Sequence, residues 1–267
     1  KRRGGTAVAA LKYWVWLTAL PGLSNRSRLL LLERYGSPED VYYADPEELA
    51  QVEGLTPGQK MAGQLVVTAV FAYYMAKISD VGLTLKVPFF PNISLNPGWL
   101  SIPLLFFVVI GTVNGTNFTD GLDGLAASVT VMVAVFFSVV ALGTNAGIAP
   151  ITLAVVGGLL GFLLFNVYPA SVFMGDTGSL ALGGFVASTA YMMNMPLFLL
   201  LVGIIYLVEV LSVMIQVTYF KVTHGKRFFK MAPIHHHFEK CGWSETRVVT
   251  VFSIITALCC LVALAGI

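Results

Sequence analysis

The chain has few charged residues, and its long middle part has no positive charge. Charged residues make up 11% of the 267 residues, whereas hydrophobic residues make up 57%. A soluble domain normally carries about 25% charged residues. Between Val87 and Phe220 there is no lysine or arginine, and the acidic residues there are Asp120, Asp123, Asp176 and Glu209. This composition excludes an ordinary soluble protein and is typical of an integral membrane protein.

Cysteine is scarce as well. The three cysteines are Cys241, Cys259 and Cys260, and their spacing fits neither a disulfide framework nor a metal site. The adjacent pair lies in an apolar run, where cysteine behaves as a small hydrophobic residue. The net charge of +2 is too small to indicate that the membrane body binds nucleic acid.

The distribution of charge divides the chain near residues 55–60. Residues 1–55 carry seven basic and seven acidic side chains, and we predict that residues 1–54 form a small, soluble-like helical head. Residues 55–267 contain seven apolar runs, and about 20 apolar residues are needed to cross a bilayer. We therefore predict an all-α polytopic membrane helical bundle of about seven spans. The predicted spans are 61–79, 99–113, 125–143, 148–166, 178–194, 197–219 and 248–267.

Three polar segments interrupt the apolar body. The first, Asn114–Ala126, contains Asn117, Asp120 and Asp123; the second, Phe173–Ser179, contains Asp176; the third, Met231–Glu239, contains His235, His236 and His237. Ionisable groups at membrane depth are costly to bury and are functional candidates by default.

The positive-inside rule predicts that all three polar segments lie on one face. The loop 220–247 carries six basic residues and is therefore predicted to be cytoplasmic. Counting back through alternating spans puts the loops 167–177 and 114–124 on the same side. The proline-rich stretch Val81–Pro97 predicts a hairpin or loop on the opposite side, outside the bilayer.

The acidic residues suggest a magnesium site. Asp120 and Asp123 are three residues apart and share a face where a helix starts. Asp176, between Gly175 and Gly178, is a second candidate ligand. Mg²⁺ prefers one or two carboxylates together with phosphate oxygens and water. The alternative is that these segments are only capped helix termini.

The histidine run favours phosphate binding or acid–base chemistry, because histidine titrates near neutrality. Three adjacent imidazoles cannot all point the same way, which argues against a single three-histidine metal site. A surface run without function remains the alternative. Phe173 could stack on a nucleobase, although an aromatic residue at a membrane edge is more often an interfacial anchor. Likewise, Lys221, Lys226, Arg227 and Lys230 could simply hold anionic headgroups.

At these residues the chain resembles the phospho-N-acetylmuramoyl-pentapeptide transferases, a branch of the polyprenyl-phosphate N-acetylhexosamine-1-phosphate transferase superfamily. The resemblance covers residues 55–267, and the run from Pro233 to Glu239 separates this branch from relatives that use UDP-N-acetylglucosamine. The matching segments are 55–64, 117–126, 168–184, 220–239 and 242–245.

The resemblance implies a reaction in which UDP-N-acetylmuramoyl-pentapeptide and undecaprenyl phosphate give lipid I and UMP. It implies Mg²⁺, a helical bundle in the inner (plasma) membrane, and an active site on the cytoplasmic side. It implies that Asp176 binds the metal and that Asp176, His235, His236 and Asp120 are catalytic. The implied substrate-binding residues are Lys60, Asn114, Asn117, Asp123, Asn166, Phe173, Gly175 and His237.

The chain also departs from that family. The family has ten spans, and its Asp-Asp pair precedes the segment that contains Lys60; this chain has neither the first three spans nor the pair. We therefore expect weak uridine nucleotide binding and little turnover by the 267-residue chain alone. A truncated or chimeric inactive membrane protein, or a relative that uses UDP-N-acetylglucosamine, remains an alternative. Residues 7–54 resemble the amino-terminal segment of DNA-processing protein A, and the sequence leaves open whether the protein forms a homodimer.

Overall fold

The computed structural model describes residues 31–43, 57–79 and 81–267. The chain divides into two compact units, with the boundary after Gln64. In the amino-terminal unit, a helical stretch ends at Tyr35 and helix α1 covers Pro38–Tyr43. The Oγ of Ser37 accepts the N–H of Asp40 at 3.2 Å and so caps α1. Residues 1–30 and 44–54 of the predicted head lie outside the described residues, and the likeness to DNA-processing protein A stays a prediction.

The second unit is a bundle of long helices with one short hairpin. A single helix, α2, crosses the boundary between the two units. The elements are α2 (Pro57–Lys77), β1 (Leu85–Val87), β2 (Phe90–Leu95), α3 (Ser101–Thr119), α4 (Leu125–Gly143), α5 (Ala149–Asn166), α6 (Gly175–Met192), α7 (Leu199–Val202), α8 (Ile204–Val222), α9 (Ile234–Lys240) and α10 (Glu245–Leu264). Short 3₁₀ turns, Gly98–Leu100 and Pro196–Phe198, precede α3 and α7.

Among the described residues, five helices are long and apolar enough to cross a membrane: α3 with its preceding turn, α4, α5, α8 and α10. This confirms the predicted helical membrane bundle. The two other predicted spans correspond to α2 and α6, which have 21 and 18 residues. Both are long enough, but their composition is less apolar, so the predicted number of about seven is two more than these criteria support.

The modest hydrophobicity of α6 reflects close packing against α3. A Cβ on Gly183 would overlap the Cα of Val113 and come within 3.0 Å of the Thr112 carbonyl oxygen. Small residues let helix backbones approach each other in membranes, where packing rather than water exclusion holds helices together. Because small residues such as Gly183 occupy the face of α6 that packs against α3, α6 is less apolar than the five long spans.

Two predicted boundaries were wrong for identifiable reasons. The span predicted to end at residue 113 continues to Thr119, because polar side chains there bond within the helix. The hydroxyls of Thr116 and Thr119 donate to carbonyls four residues earlier, at 2.9 and 2.7 Å. The span predicted as 197–219 is interrupted at Gly203, which separates α7 from α8.

Helix α4 is the most buried of the five spans and forms the centre of the bundle. It packs against α5, α10, α6 and α3. Val129, Val133 and Phe137 on α4 are fully buried. Thr130 of α4 and the hydroxyl of Tyr206 on α8 form a buried hydrogen bond of 2.8 Å, which satisfies two polar groups that would otherwise be costly in the core.

The stretch Val81–Pro97 forms the predicted hairpin. Strands β1 and β2 are antiparallel, with Leu85 opposite Leu95. The N–H of Lys86 donates to the carbonyl of Asn194 at 2.7 Å, and the N–H of Phe89 donates to the carbonyl of Gly266 at 2.8 Å. These partners follow the carboxyl ends of α6 and α10. The hairpin therefore lies at the end of the bundle opposite to the starts of those helices.

Candidate active site

The three polar segments meet at one end of the bundle. The first runs from the last turns of α3 to the start of α4, the second begins α6, and the third lies between α8 and α10. Two contacts join the first segment to the others, Asn117 to Asp176 and Gly121 to His235, and Asp123 also contacts Ala170 just before the second segment. The structure thus brings together residues that are more than one hundred positions apart in the sequence.

Asn117 connects α3 to α6. Its side-chain amide donates to Oδ1 of Asp176 at 3.1 Å and to Oγ of Ser179 at 2.9 Å. Ser179 is fully buried, whereas Asp176 is exposed in the first turn of α6. The amide therefore holds one carboxylate oxygen of Asp176 at the exposed start of α6.

Asp120 lies directly after α3 and close to Asp176. Burial, and the neighbouring carboxylate of Asp176, raise the pKa of Asp120 to about 7. Two carboxylates that disfavour each other's charge are relieved by a proton or by a cation between them. This pair is therefore the part of the site best suited to a divalent cation.

Asp123 holds two loops together. Its Oδ2 accepts the N–H of Ala170 at 2.8 Å, and its own N–H donates to Oε1 of Glu245 at 2.6 Å. Sequence reasoning did not select Glu245 as a site residue. Glu245 lies in the first turn of α10, one residue after the N-cap residue Ser244. No sequence pattern predicts that it contacts Asp123.

The loop between α5 and α6 presents Phe173. Asn166, at the end of α5, is buried, and its amide donates to the carbonyl of Val172 at 2.8 Å. Gly175 has a φ of 59°, a conformation that favours glycine where the loop turns into α6. Phe173 is 71% exposed, so both stacking on a base and anchoring at the interface remain open for it.

The three histidines have three separate sets of partners. His235 is fully buried, with its Nδ1 3.1 Å from Oε1 of Glu209. His236 is half-buried, with its Nδ1 2.6 Å from Oε2 of Glu239. The Nδ1 of His237 accepts the N–H of Lys230 at 3.1 Å. Within the described residues, no cluster of three or more His, Cys, Asp or Glu side chains is arranged to hold a metal ion.

Aromatic packing and a glutamine fix the histidine-bearing segment. Phe238 of α9 stacks on Trp243, with ring centroids 4.8 Å apart, and meets the edge of Phe252 on α10 at 5.9 Å. The Oε1 of Gln216 on α8 accepts the N–H groups of Phe228 and Phe229 at 3.2 and 2.9 Å. Sequence reasoning missed Gln216; it noted Glu209 as a lone acidic residue in an apolar span, which is itself a signal, but assigned it no role.

The remaining predicted site residues have less specific surroundings. Asn114 lies on α3, and its amide donates to the carbonyl of Ile110 at 2.9 Å. Lys60 lies on the part of α2 that belongs to the amino-terminal unit, and its place in the site stays a prediction. The basic side chains of the segment before α9 are exposed: Lys221, Lys226, Arg227 and Lys230.

Known proteins match this chain over most of its length. The profile of glycosyl transferase family 4 matches residues 36–194. The phospho-N-acetylmuramoyl-pentapeptide-transferase of Clostridium perfringens (strain 13 / Type A) is 52% identical over 215 residues, which are 80% of this chain and 67% of the relative. The protein of the same name from Acetivibrio thermocellus is 53% identical over 212 residues, 78% of this chain and 63% of the relative.

The same name belongs to a protein of Clostridium botulinum (strain Eklund 17B / Type B), which is 52% identical over 210 residues, or 78% of this chain and 64% of the relative. The chain thus spans about two thirds of the length of these curated relatives. The family match covers the first two polar segments, and the aligned relatives extend over most of the bundle. The chain therefore belongs to glycosyl transferase family 4, in the branch of the phospho-N-acetylmuramoyl-pentapeptide-transferases.

Proposed function

We propose that this protein transfers phospho-N-acetylmuramoyl-pentapeptide from its UDP-linked form to undecaprenyl phosphate, giving lipid I and UMP in peptidoglycan biosynthesis. The observation that carries the proposal is the contact of the Asn114–Ala126 segment with both other polar segments. Relatives at 52–53% identity with that activity in their name support it.

The reaction brings several negative charges together. An oxygen of the lipid phosphate forms a bond to the sugar-bearing phosphorus of the nucleotide. The bond from that phosphorus to the oxygen of UMP breaks, and UMP leaves with the electron pair. Phosphoryl transfer of this kind depends mainly on positioning and on neutralising charge. The exposed basic side chains Lys221, Lys226, Arg227 and Lys230 lie in the stretch of chain before the histidine helix α9, and they would offer positive charge to the substrates.

Asp176 and Asp120 are the residues we propose for a magnesium site. The absence of a three-ligand cluster among the described residues is compatible with Mg²⁺, since this ion needs only one or two carboxylates and takes its other ligands from phosphates and water. Burial and the neighbouring carboxylate of Asp176 raise the pKa of Asp120, and a bound cation would offset both effects. A bound Mg²⁺ would neutralise phosphate charge; Asn117 would keep the Asp176 carboxylate oriented towards it.

The histidine segment and Phe173 would bind the substrates. We propose that His235 and His236 meet phosphate groups, because imidazole can donate a hydrogen bond or exchange a proton near neutral pH. We assign the exposed ring of Phe173 to the uracil base. Asp123 and Asn166 would act indirectly, since their side chains already hold the backbone of the loop that carries Phe173.

We also propose that the site faces the cytoplasm of a cell with an inner (plasma) membrane. The loop between α8 and α10 carries the basic residues that the positive-inside rule assigns to that side. The hairpin at the other end of the bundle contains only one basic residue, Lys86.

The test is release of UMP by the chain in phospholipid vesicles, supplied with UDP-N-acetylmuramoyl-pentapeptide, undecaprenyl phosphate and Mg²⁺. We expect UMP at a low rate, in line with the little turnover expected of this chain alone, and only when both substrates and Mg²⁺ are present; Asp176→Asn should lower that rate at least a hundredfold. Asn145→Gly, beyond the far end of α4, is the matched control and should keep the parent rate. UMP formed from UDP-N-acetylglucosamine but not from the pentapeptide substrate would contradict the proposal, as would full activity of Asp176→Asn.

A further inference from the structure

Glu209 is a buried acidic residue that the proposed chemistry does not use. It is the only acidic side chain of α8, and it is 0% exposed. Burying a carboxylate among apolar helices is costly unless a partner offsets the loss of water. The contacts of Glu209 should therefore show what offsets this cost.

The contact is with His235. Oε1 of Glu209 lies 3.1 Å from Nδ1 of His235, whose ring is also fully buried. A carboxylate can only accept, so the hydrogen on this bond belongs to Nδ1. The other ring nitrogen, Nε2, then remains to exchange a proton or meet a ligand. Among the described residues, neither Nε2 of His235 nor Oε2 of Glu209 has a hydrogen-bond partner.

The unpartnered Nε2 points at the first polar segment. A Cβ on Gly121 would overlap Nε2 and come within 2.7 Å of the adjacent ring carbon Cε1. Gly121 is itself exposed and follows Asp120 directly. One residue without a side chain therefore separates Nε2 from the surface of the candidate site.

The neighbouring pair, His236 and Glu239, is built differently. Its members are three residues apart on the same short helix, and their side chains are 29% and 32% exposed. Such a pair forms from local geometry and solvent can replace it. The pair of Glu209 with His235 instead joins two elements 26 positions apart and is closed to solvent.

We propose that Glu209 is a positioning residue that holds His235 with Nδ1 protonated and Nε2 directed at the Asp120–Gly121 loop. In this arrangement Nε2 is the ring nitrogen on the side of the candidate site; it is buried beneath Gly121, so a substrate phosphate would reach it only when the Asp120–Gly121 loop moves aside. The bond at the second nitrogen of a histidine commonly sets its tautomer and ring orientation. The proposed ligand, a substrate phosphate, rests on the proposed function; the tautomer does not.

The tautomer is measured by ¹⁵N NMR of the full chain, labelled at histidine and reconstituted in phospholipid vesicles. The sequence contains only four histidines, and the signal of His235 is assigned by its loss in His235→Asn. We expect His235 to carry a proton on Nδ1 in the parent. The amide of the Glu209→Gln variant can accept or donate a hydrogen bond. In this variant we therefore expect a second population of His235 in which Nδ1 carries no proton.

Ser212→Ala is the matched control. Ser212 is buried one turn further along α8, and its hydroxyl donates to the backbone carbonyl of Glu209 rather than to His235. It should leave the histidine spectrum unchanged. A parent spectrum in which Nδ1 of His235 carries no proton overturns the proposal. A Glu209→Gln spectrum identical to that of the parent also overturns it.

A kinetic measurement separates positioning from mere stability. Glu209→Gln should lower kcat for UMP release at least tenfold and change the KM for the sugar nucleotide less than twofold, while Glu209→Asp, which keeps the carboxylate, recovers part of kcat. Loss of kcat in Ser212→Ala to the same extent would show a structural role instead. If the parent releases no UMP, the proposed function fails while the NMR result still decides the role of Glu209.

Discussion

The side-chain amide of Asn117 bridges Asp176 and Ser179, which are 59 and 62 positions further along the chain. One donor group thus fixes the first turn of α6 against the last turns of α3. Because Asp176 is also the residue proposed to bind Mg²⁺, this bridge links helix packing to the orientation of a ligand.

Removing that bridge should weaken binding of UMP in the presence of Mg²⁺. A hydrogen bond to a charged group contributes about 1.5–3 kcal/mol, so Asn117→Ala should weaken binding at least tenfold. Isothermal titration of the reconstituted chain measures the affinity, with and without Mg²⁺. Asn145→Gly serves as control, because Asn145 lies past the other end of α4 with a φ of 51°, which glycine adopts readily. Equal affinities of Asn117→Ala and the parent would contradict this role.

Glu245 should stabilise the loop that carries Asp120 and Asp123. In Glu245→Ala the N–H of Asp123 loses its acceptor, and we expect a loss of about 1–3 kcal/mol in the free energy of unfolding. Glu245→Gln keeps an acceptor oxygen and should lose less. Thermal unfolding in detergent measures the difference, and hydrogen exchange at residues 120–124 locates it. If exchange in this loop is the same in Glu245→Ala and in the parent, the bond does not hold the loop.

Two adjacent glycines on α6 provide a matched test of helix packing. A methyl group on Gly183 would collide with the α3 backbone at Val113, whereas one on Gly184 would meet no atom within 4 Å. Gly183→Ala should therefore lower the free energy of unfolding by about 1–3 kcal/mol. Gly184→Ala should be neutral or slightly stabilising, because alanine favours helix. Denaturant-induced unfolding in mixed micelles compares the two, and equal stabilities would mean that α3 and α6 are less closely packed.

The proposed orientation can be checked with a cysteine already in the chain. Cys241 is exposed and lies between α9 and α10, beside the histidine segment. A membrane-impermeant maleimide should label it in inverted vesicles and not in right-side-out vesicles. Ser94→Cys, on exposed strand β2, should show the opposite pattern once Cys241 is replaced by alanine. Labelling of both positions from the same side would exclude the predicted topology.

Much of the fold follows from the apolar runs. The predicted span 125–143 coincides with α4, and the other long helices begin and end within a few residues of their predictions, except at the end of α3 and at Gly203. Those two misses have a common origin. Whether a polar or glycine-containing stretch continues a helix depends on neighbouring helices and on bonds within the helix, and apolar content does not report on either.

The sequence by itself determined which residues are polar within a membrane body, and alternation of spans was enough to predict that they share one face. It could not determine what each polar side chain contacts. Asp123 holds a loop, and Glu209 faces His235, because helix packing sets distances between residues far apart in the chain. Apolar runs and composition describe residues that are neighbours in the sequence. A hydrogen bond in a low-dielectric site depends on which residues are neighbours in space, and only the tertiary structure decided that.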